Sequence, residues 1–246
     1  MDDQQRTTQL AALWRQPPGD DTWRQIWKLL SDWPEGPAKD AAMQDAAMRL
    51  DSWDDQLRRM TSQSIPLYRD NRVAPIGRLV RWIEFYRREE GTGDLVRIAE
   101  SPNAERLRGI TIHRCDIGSQ GITALASSPY LNDLTHLRFT DTYLPRGSAR
   151  ELLSPSGLPR LCSLELIECG VKSDDLAVLP QSSLPARLVH LNLSDNLLDD
   201  GAAVILAQLT TLRQLQTLDL SKNGLSSAAH KMLAQAPHLA RTRLAL

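Results

Sequence analysis

The chain is poor in cysteine, in long apolar runs and in net charge, and each shortage removes a class of protein. Only three cysteines occur among 246 residues. Cys115 and Cys169 occupy equivalent positions two repeats apart in the pattern set out below. Two strand steps of ~4.8 Å would hold them on the order of 10 Å apart, outside disulfide reach. A reduced, cytoplasmic protein is expected. No stretch approaches the ~18 uncharged apolar residues of a spanning helix. The opening MDDQQRTTQL lacks the basic-then-apolar order of a signal peptide, so no membrane is expected as a partner. Charge is balanced at −1 overall, and by segment it is −1 for 1–79, +1 for 80–160 and −1 for 161–246. No basic excess marks a phosphate-backbone footprint, which sets nucleic acid aside.

Catalytic patterns are missing as well. There is no GxSxG elbow, no HExxH and no P-loop lysine motif, and the GTG at Gly91 to Gly93 precedes a helix without phosphate-loop spacing. His113 and Cys115 fall on opposite sides of a strand turn and have no CxxC partner, so neither a metal nor another cofactor is expected.

What the chain does have is a period. Segments starting at Val80, Leu107, Leu134, Leu161, Leu188 and Leu215 each begin 27 residues after the last and carry the spacing LxxLxLxx(N/C/T)xL. A fixed period in this range marks a solenoid, in which no unit buries its apolar side without a neighbour. Alternate side chains of a strand share a face, so columns 4 and 6 reach one core, with column 1 beside them. The fourth column holds Ile83, Ile110, Leu137, Leu164, Leu191 and Leu218; the sixth holds Phe85, Ile112, Phe139, Leu166, Leu193 and Leu220. The ninth reads Arg88, Cys115, Thr142, Cys169, Asn196 and Asn223, mostly small groups able to satisfy backbone where the chain turns off the strand. Arg88 breaks this column, and Glu90 breaks the apolar eleventh, which makes the first unit transitional. Leu125, Leu152, Leu179, Leu206 and Leu233, all in column 19, anchor a short amphipathic return helix in each later unit.

These columns resemble leucine-rich-repeat proteins, and the 27-residue unit with a helical return is similar to the ribonuclease-inhibitor-like class. LVHLNLSDNLLDDGAAVILAQL, from Leu188, is the best single copy, and the likeness covers roughly residues 80 to 246. The segments SPNAERL and SSPYLNDL before strands also resemble bacterial repeat proteins whose arrays follow a helical companion. The resemblance implies an α/β solenoid with parallel strands on a concave face, helices on the convex face, and a noncatalytic role in gripping other proteins. Some bacterial repeat effectors carry a cysteine ligase domain; none follows the array here, so Cys162 is not read as catalytic.

Residues 1–79 are different material. Five of the six tryptophans (Trp14, Trp23, Trp27, Trp33 and Trp53) lie there. Trp23, Ile26, Trp27 and Leu30 form a helical stripe, and Met43, Ala46, Ala47, Leu50, Leu57 and Met60 continue the same kind of pattern. Pro17 to Gly19, Pro34 to Pro37 and Pro66 punctuate these helices, while Pro75 and Gly77 mark the passage into the array. The expected organisation is a tryptophan-rich helical cap over 1–79 and an array over 80–246. RTRLAL then begins a last strand whose open edge permits at most weak self-association of a monomer.

Function falls to concave positions outside the core. The candidate partner-binding residues are Trp82, Glu84, Tyr86, Arg87, Arg108, His113 and Arg114 on the first two strands, and His136, Arg138, Asp141, Glu165, Glu168, His190, Asn192, Asp195 and Asp219 on the later ones. They run from arginine, histidine and aromatic groups to carboxylates. Tryptophan, tyrosine and arginine are frequent interface anchors, which makes the N-terminal end the candidate hot spot. A scaffold, adaptor or inhibitor of a partner protein is the leading expectation. The alternatives are a GTPase-activator-like regulator, since eukaryotic activators of nuclear GTPases share this repeat class, and a small-molecule sensor built on the tryptophan-rich helices.

Overall fold

Apolar residues at alternate strand positions and on one side of each return segment leave the repeats one way to bury both: strands side by side, helices behind them. The computed structural model, which describes residues 1–61, 75–87 and 91–246, has this arrangement. Arg88, Glu90 and Pro66 lie outside the described residues.

Eight parallel strands form one sheet in chain order: β1 (Arg59–Thr61), β2 (Trp82–Tyr86), β3 (Gly109–His113), β4 (His136–Thr140), β5 (Ser163–Ile167), β6 (His190–Asn192), β7 (Thr217–Asp219) and β8 (Arg243–Ala245). From β2 to β7 the pairing joins residues 27 apart, as in Ile83 with Ile110 and Leu191 with Leu218. The fold is an α/β leucine-rich-repeat solenoid. Columns 1, 4 and 6 are buried in every repeat, from Val80, Ile83 and Phe85 to Leu215, Leu218 and Leu220.

Behind the strands run α4 (Gly91–Ala99), α5 (Ser119–Ala126), α6 (Ser148–Leu153), α7 (Asp200–Gln208) and α8 (Ser227–Gln235). Leu125, Leu152, Leu179, Leu206 and Leu233 are all buried. One return segment, Ser173–Gln181, is a 3-10 helix with Pro180 inside it. Proline has no N–H for an α-helical bond and its ring clashes with the preceding turn, so the more tightly wound helix takes its place.

At the other end lie α1 (Asp3–Leu13), α2 (Asp20–Ser31) and α3 (Pro37–Leu50). The stripe expected to continue through Leu57 and Met60 stops at Leu50. A 3-10 turn, Asp55–Arg58, leads instead into β1, which pairs Met60 with Ile83 and so extends the sheet beyond the six repeats. That added edge is sealed by α2, whose Trp23 Nε1 donates to the Arg59 carbonyl at 2.9 Å. Arg58 is 2% exposed; its Nε donates to the Leu79 carbonyl at 2.9 Å and its Nη1 to the Leu50 carbonyl at 3.0 Å. One buried guanidinium thus ties the C-terminal end of α3 to the start of the array. Burial, followed by the nearby positive Arg81, pushes its pKa down to about 10, so it stays charged at neutral pH.

Candidate interaction surface

Where the later strands end, column 9 side chains replace missing ladder bonds. Asn196 Oδ1 accepts from the Cys169 and Val171 amides, both at 3.0 Å, while its Nδ2 donates to the carbonyls of Leu166, Leu193 and Ser194. Asn223 repeats the arrangement one unit on, accepting from Asn196 and Leu198. Thr142 reproduces part of it, accepting weakly from the Cys115 amide at 3.4 Å. The Cys115 and Cys169 thiols are buried and donate to the carbonyls of His113 and Ile167. Burial pushes the Cys169 thiol up to about 12 and also raises that of Cys162, so neither thiol is activated.

Immediately before this column the backbone turns left-handed in every repeat. Arg87, Arg114, Asp141, Glu168, Asp195 and Lys222, all in column 8, have φ between 48° and 58°. That region is uncommon for residues with a Cβ. The turn aims the amides of the first five at the next repeat: Arg87 N donates to His113 O at 3.0 Å, and Asp195 N to Ser221 O at 3.0 Å. Six charged side chains are thereby set in one row along the rim of the concave face.

Much of that charge is matched along the ladder. Arg114 pairs with Asp141, and Lys222 Nζ with Asp195 at 2.9 Å. In column 5, Arg138 faces Glu165 at 3.7 Å, and Glu84 is met at 3.5 Å by Arg59, which aligns with Trp82 of column 3. These are exposed or half-exposed pairs and each adds little stability. They do cancel most of the basic-to-acidic gradient legible in the sequence. Glu168, with no ion pair among the described residues, stands between Asp141 and Asp195 in the rim row.

The other candidate residues divide by exposure. Trp82 is 9% exposed, covered by its neighbours in the sheet. Its indole lies over Gly109, where a Cβ would come within 2.2 Å of the ring; its Nε1 donates to Thr111 Oγ1 at 3.0 Å, and His136 packs against it at 5.4 Å. His136 and His190 each meet a threonine hydroxyl at 2.8 Å, Thr135 and Thr217 respectively. Asn192 and Asp219 accept from the amides of Ser194 and Ser221, both at 2.9 Å. Arg108 sits where β3 begins, donating to the Asp133 carbonyl at 3.2 Å and reaching Asp55 at 4.0 Å.

Tyr86 differs from all of these. It is 59% exposed, stacks on His113 at 4.9 Å with 20° between the rings, and carries the Arg87 guanidinium 5.4 Å from its ring centre. One residue of the same face escaped the repeat reading, Arg59, paired with Asp20 as well as Glu84; Arg243, in the last strand read from RTRLAL, aligns with Thr217. The LxxM spacing of Leu57 and Met60 was the one trace of Arg59, because its offset from β2 is 23 residues and not 27. No cluster of three or more metal-ligating side chains occurs among the described residues. No helix among them is long and apolar enough to cross a membrane.

No protein-family model matches the chain, and no curated protein does. Solved structures similar to it include a protein from Bacteroides fragilis, at 14% identity over 68% of this chain and 66% of that one, TM-score 0.38. An internalin from Listeria monocytogenes shares 18% identity over 72% of this chain and 51% of its own, TM-score 0.41. A leucine-rich-repeat protein from Leptospira interrogans shares 13% identity over 70% of this chain and 50% of its own, TM-score 0.38. The chain spans between half and two thirds of the length of each. The 27-residue period of the sequence, repeated residue for residue in the pairing of its parallel strands, makes this protein a leucine-rich-repeat solenoid.

Proposed function

We propose that this chain is a noncatalytic binding module that holds a partner protein against the concave face, as scaffold, adaptor or inhibitor. The observation that carries this reading is the exposed Tyr86–His113–Arg87 stack at the N-terminal end of a rigid sheet. A partner meeting a pre-stacked aromatic pair and a guanidinium orders little on binding, which favours an energetic hot spot there. The paired charges further along supply orientation more than affinity. Residues 1–79 act in this reading as the cap of the array. Trp23 is committed to packing and to the Arg59 carbonyl, and Trp33 donates to Asp3 Oδ1 at 2.9 Å. Tryptophans engaged in this way favour a structural role for the helices over ligand sensing. We place the module in the cytoplasm, on the strength of its three free cysteines.

The test is affinity capture with the intact chain beside a Tyr86→Ala/Arg87→Glu variant, with thermal melts showing that both are folded. A stoichiometric protein bound roughly tenfold more weakly by the variant supports the reading. A folded variant that retains the same partner at the same strength sinks it.

A further inference from the structure

A cleft of about 470 Å3 opens on the lateral edge of the solenoid, between the turn after β4 and the turn after β5. It is separate from the concave face. Later in the array this edge carries side-chain bonds between successive repeats: Ser173 Oγ donates to Asp199 at 2.6 Å, and Ser226 Oγ to Asp200 at 2.6 Å, and these four residues line a second, more open and more acidic cleft. One unit earlier the bridging positions hold Arg146 and Lys172, two cations that do not bond to each other, and among the described side chains Arg150 crosses the gap, reaching Asp175 at 3.3 Å.

The walls are chemically distinct. Tyr143 is 79% exposed, and its ring edges over Gly170, where a Cβ would sit 3.0 Å from it. A flat aromatic face is thus held at the mouth, above a floor that includes buried Leu144, Ala149 and Cys169. Arg150 is spent on Asp175. Arg146 and Lys172, also lining the cleft, are exposed and make no ion pair among the described residues, with Asp174 as the one opposing carboxylate left over.

We propose that this cleft is a second binding site, one that takes an aromatic ring bearing a phosphate or carboxylate. The ring stacks on Tyr143, and the anion receives charge-assisted hydrogen bonds from Arg146 and Lys172. The volume is in the range of small-ligand sites and admits one ring with its anionic group. The same chemistry arrives either as a free metabolite or as a phosphotyrosine side chain of a protein.

The test is a 15N NMR titration of the intact chain with phenyl phosphate, inorganic phosphate and phenol, following the amides of Gly147 and Gly170. Saturable shifts are expected with phenyl phosphate, with phenol and inorganic phosphate each roughly tenfold weaker or more. They should vanish in an Arg146→Glu/Lys172→Glu variant of unchanged thermal stability and persist in Tyr86→Ala, which separates this site from the concave face. No saturation, equal shifts with all three probes, or full binding by the double variant overturns the proposal. A phosphotyrosine peptide, compared with its unphosphorylated form and with phenyl phosphate, distinguishes the sources. Tighter binding of the phosphopeptide than of phenyl phosphate assigns the group to a protein; equal or weaker binding assigns it to a free ligand.

Discussion

At the scale of single residues, the asparagines closing the later strands matter more than the surface charges. Asn196 is 8% exposed and makes five hydrogen bonds to backbone groups of two repeats. Its removal strands buried amides and carbonyls together. Asn196→Ala should therefore lower unfolding free energy by about 2–4 kcal/mol, read by urea denaturation, the cost of several orphaned buried groups partly relieved by water. Exposed charges give the comparison: Lys222→Ala should leave the urea midpoint nearly unchanged. A pH effect belongs at this scale too. Burial, then the charge of His190, holds the His136 pKa below its usual value. In the unfolded chain it returns to about 6.5. The unfolded state therefore takes up the proton first, and the stability contributed by neutral His136 is complete above about pH 6.5 and is lost as pH falls toward the lower folded value. The drop in melting temperature between about pH 7.5 and about pH 5 should be smaller in His136→Gln than in the parent.

At the scale of elements, the junction between α3 and the array rests on an unusual choice. Arg58 is buried, yet its two hydrogen bonds go to carbonyls, with Asp55 and Asp51 acting on it only through space. Charge-assisted bonds of this sort are strong, while the desolvated cation is expensive, so the two ways of removing it should differ. Arg58→Ala loses the bonds and leaves a cavity, for an expected loss of about 3 kcal/mol in denaturant unfolding. Arg58→Met keeps the apolar stem and removes the buried charge, and should cost at least about 1 kcal/mol less than the alanine variant. Equal losses would show that the guanidinium, and not the filled volume, holds the junction.

At the scale of the whole molecule, the sequence carried the array almost completely. The columns pair as the spacing places them, because a strand in a solenoid meets its own equivalent in the next unit and one period defines the sheet. Ion pairs such as Arg138 with Glu165 follow from the same alignment. The added strand β1 did not, since it departs from the period and offers only Leu57 and Met60 as apolar markers. The site was less legible than the fold. Trp82 and Tyr86 look alike as exposed aromatic candidates, but the missing Cβ of Gly109 lets one ring lie flat in the sheet while the other stands out beside His113. The lateral cleft left still less trace, because most of its lining lies in the turns, outside the apolar columns.

The sheet is closed at its first strand, where α2 and the Trp23 indole seal β1. During synthesis the sealed end leaves the ribosome first. Each repeat that follows finds a finished strand waiting as its template, only one unit back in the chain. Folding can then advance as a zipper in the direction of translation, without a search for distant partners.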